Sequence, residues 1–521
     1  MKNREIDAAW SYHNGTKHSY QSVRADAHYL DWENQPIPFK IYPELAPIPL
    51  PPNLSSSGMP ALSAISSVAA DATGAVGLTT QSLAEILFLA AGVTKRRRYP
   101  GGEMLFRAAA CTGALYHIDL YLVCGDLEEL EAGVYQFSPQ DFALRRLRAG
   151  DYRSLLGSAS GEEPSIVNAS CVIVSASTFW RNAWKYQARA YRHCYWDNGT
   201  ILANVLAAAV ARRIPAKIVL GFVDATVSQL LGLDSQREAA LSLAAMGEAA
   251  PPRIALSTPL EPRVFETAPL SKTEIDYPAM RAMHEASSLM SVEEVVAWRE
   301  GTEKAEGKRL KDNGGSEDRH FALTPLEDAA MPQDAIEEVI VRRGSTREFS
   351  RESITFTQLS MMLDRATRGI QADFVKTAEL LNELYLIVHA VEGLPSGAYV
   401  YRRQEHALEL LKAGDFRREA GHLGLGQEIP ADCSVNIYFL ADLKKILARF
   451  GNRGYRAAQL EAAILGGKVY LAAYAQRLGA SGLTFFDDDV TEFFSPHAVG
   501  KSVMFLIAIG KSAKQKKLSV S

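Results

Sequence analysis

Gly133-Val-Tyr-Gln-Phe-Ser-Pro-Gln-Asp-Phe-Ala-Leu-Arg-Arg-Leu-Arg-Ala-Gly-Asp-Tyr-Arg153 lies over Gly397-Ala-Tyr-Val-Tyr-Arg-Arg-Gln-Glu-His-Ala-Leu-Glu-Leu-Leu-Lys-Ala-Gly-Asp-Phe-Arg417 without a gap, with 10 identities in 21 positions. The offset is 397 − 133 = 264. The same offset recurs at Leu120-Tyr121-Leu122 over Leu384-Tyr385-Leu386. It recurs again where Arg189 to Asp224 covers Arg453 to Asp488 with 11 identities in 36 positions. Separated blocks that share one offset mark two copies of one domain, and a long-period repeat of this kind sets the domain count before any local reading. We expect a first domain over 1–255, a connecting excursion over 256–334, and a second domain over 335–521.

Within each copy the pattern is mixed. Ile118 to Cys124 and Leu384 to Val388 are short runs rich in Val, Ile, Leu and Tyr, each followed by a Gly-Val-Tyr or Gly-Ala-Tyr run, which predicts antiparallel strands. Thr200 to Arg213 and Leu465 to Arg477 are long, Ala/Leu-rich and free of Pro, which predicts helices buried on most faces. Strands are expected again at Lys217 to Val223, Ser481 to Phe486 and Val503 to Ile509. The class is α+β, antiparallel-rich sheets flanked by helices. Trp298 to Met331 is charged and contains Asn313-Gly-Gly-Ser, so it is expected as a linker or surface excursion. Pro36 to Pro60 is Pro-rich, has no counterpart at the repeat offset, and reads as an extended arm docked by its aromatics.

The whole chain has 521 residues, is 47% hydrophobic and 22% charged, and carries a net charge of −4. That balance excludes disorder and small disulfide scaffolds, and it lacks the basic stripe expected of a nucleic-acid partner. Five cysteines, odd in number and without a C-x-x-C spacing, read as thiols in a reducing compartment. Neither a signal-type h-region nor an apolar run long enough to span a bilayer is visible, so a cytoplasmic location is expected. The 11 histidines show no metal-ligand spacing, and no Walker loop, G-x-S-x-G or H-E-x-x-H is present.

Three segments differ between the copies. Arg342-Arg343-Gly-Ser345-Thr-Arg347 offers guanidinium forks and a hydroxyl suited to a phosphate, or simply a solvated basic helix end. Arg107 to Tyr116, with Cys111, Thr112, Gly113 and Ala114 at its centre, would let backbone approach a flat ligand closely, although a tight strand entry would serve as well. In the second copy Cys111 to Leu115 fall on Val375 to Glu379, and the glycine is gone. Lys185 and Tyr186 pair two titratable groups whose pKa values burial can move; a snorkelling Lys beside a packed Tyr is the plainer reading. Their counterparts are Arg449 and Phe450, neither of which exchanges a proton near neutrality.

With Thr16-Lys-His-Ser19, His28 to Trp32, Arg107 to Tyr116, Lys185-Tyr186, Arg189 to Arg192, Arg343 to Arg347 and Gly482 to Val490 taken together, the sequence resembles the SagB-type dehydrogenases of the nitroreductase superfamily. The resemblance implies an FMN-binding fold that works as a homodimer, here fused into an intrachain pseudo-dimer. It assigns Arg343, Ser345 and Arg347 to the FMN phosphate, ribityl and pyrimidine edge. It assigns Cys111, Thr112, Gly113 and Ala114 to the cover of the isoalloxazine, Gly482 and Leu483 to its central ring, and Lys185 and Tyr186 to proton transfer. It further implies an azoline or other C–N substrate, small or carried on a peptide, with oxygen as final acceptor and peptide-modifying partner enzymes. Two alternatives stand beside it, an NAD(P)H-dependent nitroreductase-like reductase and a non-catalytic docking subunit. One competent site and one degenerate mirror site, built from Lys17 and Ser19 with Val375 to Glu379 and Arg449-Phe450, are expected.

Overall fold

The computed structural model describes residues 2–25, 28–67, 74–99, 102–249, 260–303, 319–376 and 379–513. The Asn313–Ser316 run, Thr377, Ala378 and the last eight residues lie outside them.

Each copy builds a seven-stranded sheet. In the first, β1 (Pro47–Pro49), β2 (Ile118–Cys124), β3 (Gly133–Ser138), β4 (Ala143–Ala149), β5 (Cys171–Thr178), β6 (Ala216–Val219) and β7 (Glu238–Met246) run in the order 1-4-3-2-5-7-6. The second contains β8 (His320–Ala322), β9 (Asn382–Val388), β10 (Gly397–Arg402), β11 (Ala407–Ala413), β12 (Val435–Ala441), β13 (Gly479–Gly482) and β14 (Ser502–Gly510). Its order, 8-11-10-9-12-14-13, is the same path with every index raised by seven. All the pairings are antiparallel, as the alternation and the short turns predict. The quoted repeat is the β3–β4 and β10–β11 hairpin, and each copy bulges at the matching place, Val134/Tyr135 and Ala398/Tyr399.

The Pro-rich arm has a structural counterpart after all. Ile48 of β1 pairs with Leu144, and Phe321 of β8 pairs with Leu408, so both are the same edge strand added to the same hairpin. The offset of this pair is 321 − 48 = 273 rather than 264, which hid it from the repeat comparison.

Between the sheets pack two long helices, α3 (Ala190–Ala211) and α8 (Arg453–Ala475). Almost every residue of both is buried, because each is covered by its own sheet on one face and by the other long helix on the next. Close approach requires small residues: a Cβ on Gly199 would stand 2.4 Å from the Ala463 Cβ, and one on Gly467 would stand 2.6 Å from the Ala203 Cβ. The short helices α1 (Thr80–Ala91), α2 (Phe179–Tyr186), α4 (Asp224–Leu231), α5 (Val292–Glu303), α6 (Ile336–Arg342), α7 (Leu443–Phe450) and α9 (Asp487–Phe493) surround this pair.

A reciprocal ion clamp joins the halves. Arg189 and Arg192, at the start of α3, bind Asp487 at 2.9 and 2.6 Å. Arg453 and Arg456, at the start of α8, bind Asp224 at 2.6 and 2.7 Å. Each aspartate opens the short helix of the opposite half, where the helix dipole also favours a carboxylate. Although burial alone would raise the Asp224 carboxyl, the two guanidinium groups bring it down to about 2.

One expectation fails here. Trp298 does not belong to a surface excursion: it lies on α5, is 1% exposed, and donates from Nε1 to the Phe450 carbonyl at 3.1 Å. A single aromatic anchor in a charged segment is worth enough apolar area to dock the helix that carries it.

Candidate functional site

A cavity of about 360 Å³ opens between the halves, within the size range of small-molecule sites. The first half supplies Ala110 to Gly113, Lys185 and Tyr186, and one stripe of α3: His193, Trp196, Asp197 and Thr200. From the second half come Ser345 and Arg347, Tyr470 of α8, the stretch Gly482 to Thr484, Gln427 and Phe505. Most residues singled out in the sequence therefore converge from four distant segments.

Loop 111–114 needs its glycine. Gly113 has φ +64°, and a Cβ there would approach the Tyr186 hydroxyl to 2.9 Å. The loop is pinned from beneath by Asp197, which accepts from the Thr112 amide at 2.9 Å, the Thr112 hydroxyl at 2.7 Å, the Cys111 thiol at 2.9 Å and His117 Nε2 at 2.9 Å. Burial and the neighbouring carboxylate push the Cys111 thiol well up, so it stays protonated and serves as a donor rather than a nucleophile.

Two assigned residues stand back from the cavity. Arg343 does not line it. Its Nε and Nη2 donate to the Ala108 carbonyl at 2.9 and 2.8 Å, and Nη2 also reaches the Arg107 carbonyl at 3.1 Å. Through Nε and Nη2 the guanidinium joins the second half to the root of the first-half loop. Ala114 likewise lies behind Gly113, in a turn with φ +56° whose N–H donates to the Cys111 carbonyl. Ser345 and Arg347 remain as the cavity's hydroxyl and fork donor, with Tyr470 on the same wall. The N–H groups of Gly482 and Leu483 are engaged already, by the Tyr470 hydroxyl and the Leu506 carbonyl.

The Lys185 ammonium sits 5.4 Å from the centroid of the Tyr186 ring. Lysine is half-buried, and its pKa is lowered by burial first and by the positive charge of Arg347 second. Tyrosine moves the other way: burial, then Asp197 and Cys111, raise its hydroxyl. The environments push the two groups together toward a neutral lysine beside a protonated phenol, the condition for a base with a hydrogen-bonding neighbour.

Sequence reasoning missed Asp197, His193 and Thr484. Asp197 had a signal, since the aligned position in the other long, apolar helix is Glu461, again an acid. Glu461 accepts from the amides of Leu381 and Asn382, the same service on the opposite half. Two buried wall atoms, His193 Nε2 and Thr484 Oγ1, have no partner among the described residues, and buried polar atoms are seldom left so without a ligand or water. The neutral His193 is oriented by Asn182 Oδ1 at 2.8 Å. A planar, partly aromatic wall (Trp196, Phe505, Tyr186), small residues in the loop, orphaned acceptors and a guanidinium at one end suit a flat heteroaromatic group bearing an anion.

The mirror-related position is filled. Ile218, which corresponds to Gly482 at the repeat offset, pairs instead with the Gln371 and Asp373 backbone, and the Asp373 carboxylate accepts from the amides of Leu220 and Gly221 at 2.8 and 2.9 Å. The matching amides of Thr484 and Phe485 find no acceptor among the described residues. The Trp298 ring lies against Gly221 and Phe450, the latter matching Tyr186. Thr16 to Ser19 do not belong to that position: the Thr16 carbonyl accepts from Arg189, Lys17 pairs with Asp488 at 2.7 Å, and the His18 amide bonds Asp487 at 2.8 Å. The element that answers α6 is helix Ala61–Ser66, bridged to it antiparallel at Pro60 and Ala335.

The comparisons with known proteins agree with this architecture. Residues 340–511 match the Nitroreductase family. A crystal structure of a nitroreductase-type protein from Anabaena variabilis superposes with a TM-score of 0.76 at 26% identity, covering 97% of this chain and 99% of that one. A nitroreductase-type protein of Methanocaldococcus jannaschii is 27% identical over 154 residues, 30% of this chain and 74% of that protein. The trifolitoxin-processing protein TfxB of Rhizobium leguminosarum bv. trifolii is 30% identical over 152 residues, but this chain spans only 40% of its length. The protein is thus a tandem of two nitroreductase-like domains. The match to the family model falls within its second half.

Proposed function

We propose that the inter-half cavity holds one FMN per chain and that the protein is an FMN-dependent oxidoreductase acting on a C–N substrate, an azoline-type ring carried by a peptide. The single observation that carries the reading is the meeting, in one cavity, of Ser345 and Arg347 from the second half with Cys111 to Gly113 and Lys185-Tyr186 from the first. Bound FMN supplies a two-electron acceptor for hydride, and the rest falls to the protein. Arg347 and Ser345 hold the anionic end; Trp196, Phe505 and loop 111–113 exclude water from the ring face; as hydride leaves the azoline carbon next to nitrogen, the Lys185 amine takes the proton from the neighbouring ring carbon, so that the C–C single bond between them becomes the C=C of the aromatic ring. Tyr186, held protonated, orients the substrate through its hydroxyl. TfxB, a relative named for toxin processing, supports a peptide as the carrier.

Lys185, lowered toward neutrality, also favours this reading over a nitro- or quinone-reducing one, which needs no base at that place. The test is the visible spectrum and turnover of the purified chain. One flavin per chain is expected, and Lys185→Ala should lower turnover by about 10²- to 10⁴-fold while the flavin bands stay. Wild-type turnover should rise with pH as the amine loses its proton. Colourless protein after addition of FMN, undiminished turnover in the variant, or immediate bleaching by NADPH under anaerobic conditions would refute it.

A further inference from the structure

Between α1 and β2 the first half carries an antiparallel hairpin, Val93–Tyr99 against Gly102–Arg107, that belongs to neither large sheet. Its two strands pair only with each other among the described residues, so each keeps a free edge. Four consecutive residues, Lys95 to Arg98, are basic and exposed, whereas the chain as a whole is acidic. Only Glu103 answers them, at 3.6 Å from Arg96 and 3.5 Å from Arg98; Lys95 and Arg97 have no ion pair among the described residues. Tyr99 and Met104 add 52% and 46% exposed apolar surface beside the charges.

Position gives the feature its meaning. The second strand ends at Arg107, whose carbonyl holds Arg343, and Ala110 on the cavity wall follows three residues later, about 10 Å of chain. Among the described residues the second half has no such element: 26 residues (92–117) separate α1 from β2, but only 15 (367–381) separate helix Phe356–Ala366 from β9. In that half the shorter connection is the one that fills the mirror cavity. The hairpin therefore stands only beside the cavity that is open.

We propose that this hairpin is the docking edge for an extended acidic peptide, which adds as a third strand and is led along the basic row to the cavity. Main-chain pairing supplies a sequence-tolerant grip, and the arginines supply selection for acidic segments and the speed of encounter. Lysine and arginine also guard free edges against self-association, but here the edge exists only because the hairpin was added. Nucleic acid fits less well, since a two-edged strand pair offers peptide backbone its own hydrogen-bonding partner. The proposal rests on the reading of the cavity given above and can fail independently of it.

The test uses the full chain, a fluorescein-labelled Glu-rich dodecapeptide, its Gln-for-Glu analogue, and a single-stranded oligonucleotide of equal charge as competitor. The Glu peptide should bind with an affinity that falls as salt rises, and the Gln analogue should bind weakly. Lys95→Gln/Arg97→Gln, both exposed and without an ion pair among the described residues, should weaken Glu-peptide binding about tenfold with flavin absorbance unchanged. Equal binding by the neutralised variant, equal binding of the Gln analogue, or displacement by the oligonucleotide at the peptide's own concentration would overturn the docking edge. Loss of flavin from the wild-type chain with peptide binding intact would overturn the cavity reading and leave the docking edge supported.

Discussion

Replacing Asp224 with Asn removes one side of the reciprocal clamp while keeping its shape. In the folded protein the two guanidinium groups bring the carboxyl from 3.8 down to about 2, which corresponds to roughly 2–3 kcal/mol. The variant loses more than that, because Arg453 and Arg456, both fully buried, are left facing a neutral amide. Breaking a buried pair from one side costs about 3–5 kcal/mol. Urea unfolding followed by tryptophan fluorescence should therefore show a single transition with its midpoint lowered by that amount divided by the m-value. The sign of the pH dependence follows as well. A depressed carboxyl contributes stability that is present above pH 3.8 and lost as pH falls toward 2, and in Asp224→Asn that acid limb should flatten. A loss below about 1 kcal/mol, or an unaltered acid limb, would show that the clamp does not hold the halves together.

Trp298→Ala should destabilise the chain by about 3–5 kcal/mol, as expected for a buried indole. Flavin stoichiometry should stay at one, because Asp373 still occupies the Leu220 and Gly221 amides; thermal unfolding and absorbance check both, and an unshifted melting temperature would refute the anchoring role. Glu461 is fully buried with its carboxyl pushed up to about 7, chiefly by desolvation. Its raised pKa contributes stability below pH 4.5 that is lost as pH rises through 7, about 3 kcal/mol in all, and Glu461→Gln should abolish that slope in denaturant titrations from pH 4.5 to 8.

The repeat made the sheets legible. Strands and long helices alternate identically in both halves because the offset preserves side-chain period as well as identity, which is why β2 and the apolar C-terminal parts of the buried helices could be placed from composition; both helices begin earlier than expected, at Ala190 and Arg453, because their first turns carry buried arginines and polar residues that break the Ala/Leu-rich pattern. What escaped was whatever breaks the offset. The edge strands β1 and β8 differ by nine residues in spacing and pair through backbone, so Pro47 and His320 share no side-chain pattern. Trp298 was lost in a charged stretch because one anchoring ring has no periodicity. At the cavity, residue type pointed to positions that do lie on the wall, as for Lys185 and Gly113. At Arg343 the residue type alone left the partner open, since a guanidinium binds a carbonyl as readily as a phosphate, and here Nε and Nη2 meet the carbonyls of Ala108 and Arg107.

The indole that closes the mirror position has a meaning that reaches past packing. In an enzyme made of two separate, identical subunits, any substitution appears in both interfaces at once, and a tryptophan stopper would silence the pair. Covalent tandem arrangement gives every homologous position two independent addresses. One interface is thereby free to become solid scaffold and the other to keep an open cavity with an added basic strand pair beside it, without either change being copied onto its twin.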